Sequence, residues 1–290
     1  MCNVNLFSRG ITNPDDLILL DHLYREIGKD SSMNGINSDI TEPRYGLTTK
    51  DILERASAIP FGNPAYPPAP DKFFDRPALT VRYRTDLNKA RALVPEPLVL
   101  EDPIVSLTFL FMVAPGLGDY YEVSQGISVT LDGESLSFRP SMYANNVAAI
   151  LNGREIWGLP KKFGSPMLTV QNDTLVGTLE YSGSLVARAT MGYKYREMDP
   201  EEARESLSTP GVVLKIIPHV DGKPRILELV RFDYKDLVIK GAWTGPGALE
   251  LFHHALAPLA DLPVRETVSV THTVCDITLP HGKVVYDYLA

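Results

Sequence analysis

Cysteine is scarce in this chain: Cys2 and Cys275 are the whole supply in 290 residues, and neither belongs to a CxxC pair. They cannot build a disulfide framework, so a reducing, cytoplasmic setting is expected. Long apolar runs are also missing, and nothing approaches the roughly 20 residues of a membrane-spanning helix. Leu17–Leu20 is too short to be the apolar core of a secretory signal, and no basic start precedes it. No block of lysines or arginines stands apart. With 28 basic and 36 acidic side chains the formal charge is −8, which disfavours nucleic acid as a partner. The common catalytic signatures are absent too: there is no GxSxG elbow, HExxH helix or P-loop, and Gly116-Leu-Gly118 lacks the third glycine of a dinucleotide loop. His253 and His254 are adjacent, so they point in different directions and would not share a metal. One buried and one exposed histidine is the simpler reading. Trp157 and Trp243 read as core or pocket wall.

What remains is an ordinary globular composition, 44% hydrophobic and 22% charged, in a chain long enough for one large domain or two small ones. Residues 1–45 read as an N-terminal extension. Asn13 caps a helix with Pro14 at its first position, Leu17, Leu20, Leu23, Tyr24 and Ile27 recur at helical spacing, and Gly28 stops it. Ser31–Pro43 is a polar linker containing Met33, a second possible start. The main domain is expected over 46–290. A helix is predicted over Lys50–Ala58, capped by Thr48 or Thr49, with Ile52, Leu53 and Ala56 on its buried face. Five prolines between Pro60 and Pro70 then force an extended strap laid over the body. From Leu79 onward the pattern is β: Leu79-Thr-Val-Arg-Tyr and Leu175–Tyr181 alternate, and Leu107–Val113, Ile127–Leu131, Leu185–Met191, Val212–Ile217, Ile226–Val230 and Leu237–Ile239 add short runs. Asp132-Gly133, Ser182-Gly183 and Asp221-Gly222 separate them as turns. Helices are predicted over Asp86–Val94 and Asp199–Leu207. The sum is an α+β chain, mostly antiparallel β, with the sheet closed or curled around a core.

One segment stands out, Gly153-Arg-Glu-Ile-Trp-Gly-Leu-Pro-Lys-Lys-Phe-Gly164. Two lysines sit between an apolar stretch with proline and a phenylalanine, and lysine is rarely buried unless something uses it. From the residues alone, a solvated turn bearing two exposed lysines explains it more simply.

The segment resembles the active-site region of the acetoacetate decarboxylase family, and the likeness extends well beyond it. Val94-Pro-Glu-Pro-Leu98, Gly116-Leu-Gly118, Thr190-Met-Gly-Tyr-Lys194, Leu214-Lys-Ile-Ile-Pro218, Ala242-Trp-Thr-Gly-Pro246, Ala257-Pro-Leu259 and Asp261-Leu-Pro-Val264 resemble family sequence in the family's order, from about Leu47 to the C-terminus. The resemblance implies a cone-shaped barrel with a few peripheral helices, a homo-oligomer, and no metal or organic cofactor. It implies that Lys161 is a Schiff-base lysine with Lys162 beside it, that Arg76 and Glu122 are active-site residues, and that Met142 packs near the amine. Trp157 and Phe163 are expected as further pocket residues. One departure stands out: the second glutamate of family decarboxylases is expected on the strand matching Ser106–Phe109, where this chain carries Leu107 and Thr108.

Such chemistry needs a neutral amine, and a free lysine with pKa near ~10.4 is only roughly 0.04% neutral at pH 7. Family decarboxylases are themselves known for a lysine activated beside another cation. In an extended segment, however, Lys161 and Lys162 leave on opposite sides, so burial among Trp157, Leu159, Phe163 and Met142 is expected to be the larger influence. The implied function is decarboxylation of acetoacetate or a related small β-keto acid. A Schiff-base aldolase or dehydratase, or a non-catalytic barrel binding a small ligand, are the alternatives, and a buried amine argues against the last.

Overall fold

The structure, a computed structural model, describes residues 46–290; the expected extension helix, linker and start at Met33 lie outside them. The chain divides into two units, Met1–Arg55 and Ala56–Ala290. The described part of the first holds helix α1 (Thr49–Arg55). Thr48 and Asp51 cap its start reciprocally: the Thr48 hydroxyl accepts from the Asp51 amide at 3.2 Å, and Asp51 accepts from the Thr48 amide at 2.8 Å. The expected buried face is absent, since Ile52 and Leu53 are exposed. A helix of two turns is marginal by itself and offers too short an apolar stripe for a core.

The second unit is built on fifteen strands. In chain order they are β1 (Asp71–Arg84), β2 (Ile104–Met112), β3 (Tyr120–Leu131), β4 (Glu134–Ala144), β5 (Lys161–Phe163), β6 (Ser165–Gln171), β7 (Thr174–Tyr181), β8 (Ser184–Gly192), β9 (Arg196–Glu197), β10 (Gly211–Pro218), β11 (Pro224–Phe232), β12 (Lys235–Thr244), β13 (Gly247–Leu251), β14 (Glu266–Leu279) and β15 (Lys283–Asp287). Helices α2 (Leu87–Arg91), α3 (Val147–Asn152) and α4 (Pro200–Ser208) are peripheral; Asp86 caps α2 and Asp199 caps α4, as the sequence predicts.

The larger sheet runs β15-β11-β10-β4-β3-β2-β1-β14-β12-β9, with β5 added beside β4, and the smaller runs β13-β8-β7-β6. Pairing is antiparallel except where β4 meets β10 and β5. The hydrogen-bonded path has two ends, so the expected barrel is not closed. The end strands explain this: β9 is two residues long and β15 only five, and neither pairs with the other. The sheet curls instead, bringing Phe232 of β11 and Leu279 of β14 to the same cavity as β1–β4. Among the described residues no helix is long and apolar enough to cross a membrane.

Period-two alternation divides the central strands into two faces. Leu79, Val81 and Tyr83 of β1, Val105, Leu107 and Phe109 of β2, and Val123 and Ile127 of β3 are fully buried in the main core. Their neighbours Ala78, Thr80 and Arg82, Ser106, Thr108 and Leu110, and Glu122 and Ser124 face the cavity. The core closes against the second sheet, where Gly177 of β7 lies under the Phe109 ring. A Cβ at Gly177 would fall 2.5 Å from that ring. Gly177→Ala is therefore predicted to lower stability by about 1–3 kcal/mol, read as a lower denaturant midpoint with an unchanged slope. An unchanged midpoint would mean the two sheets do not pack this closely.

Candidate active site

The segment that carries Lys161 begins at Asn146, whose side chain accepts from the Ala149 amide at 3.0 Å and starts α3. The helix widens into a π-helical turn at Gly153–Trp157 and ends at Gly158 with φ +84°, a left-handed conformation that glycine adopts without strain. Such turns recur at functional sites, where they change the direction in which the chain continues. Here Leu159-Pro160 leads into β5, which runs parallel to β4 with Lys161 opposite Met142. Gly153 makes room for the lysine stem, since a Cβ there would meet Lys161 Cδ and Cε at 3.0 Å.

The amine enters a cavity of about 210 Å³. Lys161 is only 5% exposed, as are Glu122 and Arg76. Lys161 Nζ lies 2.8 Å from Glu122 Oε2 and 5.4 Å from the Tyr120 ring centroid. Among the described residues that carboxylate oxygen has no aligned hydrogen-bond donor, so the contact is an ion pair rather than a well-directed hydrogen bond. Burial alone would push the Lys161 ammonium down, but the Glu122 carboxylate and Tyr120 outweigh it and hold the amine above its ordinary value. Burial is the largest single influence on the amine, as expected, but the net shift is upward because the expectation did not include a paired counter-charge.

Arg76 does not pair with Glu122 directly. Its Nη2 donates to Cys275 Sγ at 3.6 Å, its guanidinium lies 5.7 Å from the Tyr234 ring centroid, and its buried Nε has no acceptor among the described residues. A buried guanidinium without a carboxylate is costly unless an anion visits it. Apolar walls complete this end: Phe73, Leu110, Met112, Met142, Leu159 and Leu279.

Of the residues expected from the sequence, Lys161, Glu122, Arg76 and Met142 converge on the cavity. Three others do not. Lys162 leaves on the opposite side of β5, donates to the Leu256 carbonyl and sits 4.6 Å from the Tyr181 ring centroid. The alternation of an extended strand separates it from Lys161. Phe163 returns to the side of Lys161 by that alternation, yet it stands at the strand's end, is 60% exposed and lines no part of the cavity. Trp157 is fully buried but behind the site, its indole donating to the Pro280 carbonyl at 2.8 Å; it is core rather than pocket wall. Leu107 is core, while Thr108 does face the cavity, its Oγ1 3.1 Å from that of Thr80.

The sequence reading missed Asp71 and Tyr120. Asp71 opens β1, is 7% exposed, and lines the cavity near Lys161 and Asn152. Burial pushes its carboxyl up to about 6 against the opposing pull of the Lys161 charge. The only available signal was its place at the head of the Asp71-Lys-Phe73 alternation, directly after the prolines.

Because Asp71 titrates higher in the folded chain than in the unfolded one, folding takes up a proton between about pH 4 and 6 and stability falls as pH rises through that window. Asp71→Asn should therefore raise stability at neutral pH by about 2–3 kcal/mol, from roughly two pKa units at 1.36 kcal/mol each. The gain should vanish near about pH 4. Denaturant midpoints at the two pH values test this, and an equal gain at both would show that the charge is not responsible.

The family model for acetoacetate decarboxylase matches residues 57–289. An acetoacetate decarboxylase of Paraburkholderia phytofirmans is 49% identical over 244 residues, covering 84% of this chain and 97% of that protein. A solved acetoacetate decarboxylase structure superposes with a TM-score of 0.82 at 44% identity, covering 84% of this chain and all of the other. The acetoacetate decarboxylase of Legionella pneumophila gives 0.78 at 42% identity, covering 86% of this chain and 100% of that one. Since the model match spans most of the chain and includes every cavity residue named above, the chain belongs to the acetoacetate decarboxylase family.

Proposed function

We propose that this protein is a carboxy-lyase that decarboxylates acetoacetate or a related small β-keto acid through an imine on Lys161. The observation that carries the reading is a buried primary amine against a carboxylate, in a cavity that also holds a guanidinium with no carboxylate within ion-pair distance among the described residues. The relatives named acetoacetate decarboxylase support the same choice. In this scheme Glu122 takes the proton from Lys161 when substrate closes the cavity to water, since a dry site disfavours two separate charges. The free amine adds to the keto carbon, water leaves, and the protonated imine becomes the electron sink. The bond to the carboxylate breaks, its electrons pass into the imine, and CO2 departs from a neutral enamine. Apolar walls favour this step because charge disperses along it. Asp71, protonated over part of the physiological range, returns a proton to the enamine carbon. It also supplies the second carboxyl group that Thr108 does not. Hydrolysis then frees the ketone.

The imine is the electron sink, so the chemistry calls for no metal or organic cofactor. The scarcity of cysteine and the free, buried Cys275 support a cytoplasmic setting, and the family resemblance supports a homo-oligomer. Residues 1–45 are read as an extension separate from the catalytic domain at 46–290, because the family match begins only at residue 57.

Treatment with acetoacetate and borohydride should add one adduct per chain, abolish activity, and map to Lys161. Lys161→Ala should neither label nor turn over. Labelling elsewhere, or none in the folded protein, sinks the proposal.

Glu122→Gln separates the two influences on the amine. Without the carboxylate, burial is left to act on Lys161 and its pKa falls. The pH at which borohydride-trapped imine reaches half its maximum should therefore move down. Turnover should fall by about 10²–10⁴-fold for want of the proton acceptor. A midpoint that stays put or rises would show that Glu122 does not set the amine's charge.

A further inference from the structure

Beyond the Lys161–Glu122 pair the cavity continues along β3 to an end that the decarboxylation of acetoacetate does not use. Arg82 of β1, Ser106 of β2, Ser124 of β3, and Ser137 and Arg139 of β4 line it. Arg139 Nη1 donates to Ser124 Oγ at 2.9 Å, while its buried Nε has no acceptor among the described residues. Ser124 is itself only 2% exposed. Among the described residues, no carboxylate lies within ion-pair distance of Arg82 or Arg139. The polar groups converge over one glycine: a Cβ on Gly126 would stand 2.6 Å from Ser137 Oγ, 2.9 Å from Ser106 Oγ and 3.8 Å from Arg139 Nη1. The absent side chain lets two hydroxyls and a guanidinium crowd together at one point of the cavity wall, and that donor set is the chemistry of a carboxylate site.

Position gives this end its meaning. Ser124 lies two residues beyond Glu122 on the same face, about 7 Å along the strand. Arg76 lies on the other side: Glu122 pairs with Leu110, Leu110 with Ala78, and Arg76 precedes Ala78 by two residues. The two guanidiniums thus flank the reactive amine. Lining charges agree, with Arg76, Arg82, Arg139 and Lys161 against Asp71 and Glu122 only. A single substrate carboxylate at Arg76 leaves Arg139 unmatched. Acetoacetate ends in a methyl one carbon past its keto carbon and stops short of Arg139.

Resting on the imine reading at Lys161, we propose that the preferred substrate is a β-keto acid with a second carboxylate two or three carbons beyond the keto carbon, held by Arg139 with Ser106 and Ser137. Three carbon-carbon bonds and a hydrogen bond of about 2.9 Å together span roughly 7 Å, comparable to the two-residue rise from Glu122 to Ser124 along β3. For 3-oxohexanedioate, the bond between the first two carbons breaks and its electrons enter the imine. The first carbon leaves as CO2 and the second takes up one proton. Hydrolysis then returns 4-oxopentanoate and the free amine, with no oxidant or reductant needed.

Steady-state kinetics on 3-oxohexanedioate, its monomethyl ester at the distal carboxylate, and acetoacetate test this. The diacid should exceed the ester in kcat/KM by at least about tenfold, because the ester leaves the half-buried Arg139 guanidinium unpaired. In Arg139→Gln that ratio should collapse toward one. As a check independent of folding in the variant, 4-oxopentanoate should inhibit the wild-type protein at lower concentration than uncharged 2-pentanone. A wild-type ratio near one, a ratio unmoved by Arg139→Gln, or stronger inhibition by 2-pentanone overturns the inference. Turnover of acetoacetate without preference for the diacid overturns this proposal alone. No turnover of any of the three, with no adduct on Lys161, overturns the imine reading and this inference with it.

Discussion

Two opposite charges held out of water, Lys161 and Glu122, set the terms for everything around them. Removing a carboxylate and an ammonium from solvent costs several kcal/mol per ion, and mutual attraction offsets this only where geometry is tightly held. The holding is done by backbone. β5 brings the lysine alongside β4, the antiparallel ladder from β4 to β3 brings the glutamate, and the π-helical turn at Gly153–Trp157 fixes where β5 begins. Because Lys161 is raised rather than lowered by its partner, the resting site stores the amine as an ion pair. In the proposed scheme, reactivity then comes from passing a proton across 2.8 Å, not from a permanently neutral lysine.

The same register that builds the pair builds the rest of the cavity. Lys161 stands opposite Met142, Met142 opposite Ser124, Ser124 opposite Thr108, and Thr108 opposite Thr80, a row across five strands with all five residues lining one face. The residues between them in sequence, such as Leu79, Leu107, Phe109 and Val123, fill the core on the other face. A slip of one residue in any strand would exchange the two sets. Packing of the large apolar side chains therefore fixes the cavity-lining groups, although none of those side chains touches the cavity.

This explains what the sequence made legible. Alternation in Leu79–Tyr83 and Leu175–Tyr181, the turn pairs Asp132-Gly133 and Ser182-Gly183, and the caps Asp86 and Asp199 all act over a few residues, and they report local structure faithfully. The strands β4 and β14 were harder to read: Pro140 interrupts the first, and threonines dilute the second. Whether the sheet closes depends on how its end strands meet, which no local pattern encodes. Family likeness located Lys161, Glu122 and Arg76. It was silent on Asp71, whose role depends on its burial and on the nearby Lys161 charge. Phe163 and Trp157 were misplaced because proximity in sequence to the lysine was taken for proximity in space. Phe163 ends a strand of only three residues and meets solvent, and before that strand the π-helical turn points the indole to Pro280.

The two flanking arginines bear on how such a site accelerates the reaction. The carboxylate that leaves begins as an anion and ends as neutral CO2, so a strong ion pair to it stabilises the starting state more than the transition state. Binding of that kind lowers KM without raising kcat. Under the proposal Arg76 is suited to a loose hold: among the described residues its one hydrogen bond goes to the Cys275 sulfur, and its guanidinium lies 5.7 Å from the Tyr234 ring centroid. Orientation must then come from somewhere that does not change charge during the reaction. Under the diacid proposal the Arg139 end meets that requirement, because a carboxylate bound there keeps its charge throughout and fixes the keto carbon against Lys161. Binding energy from the non-reacting end of the substrate can then supply the alignment that a tight grip on the reacting end would cancel.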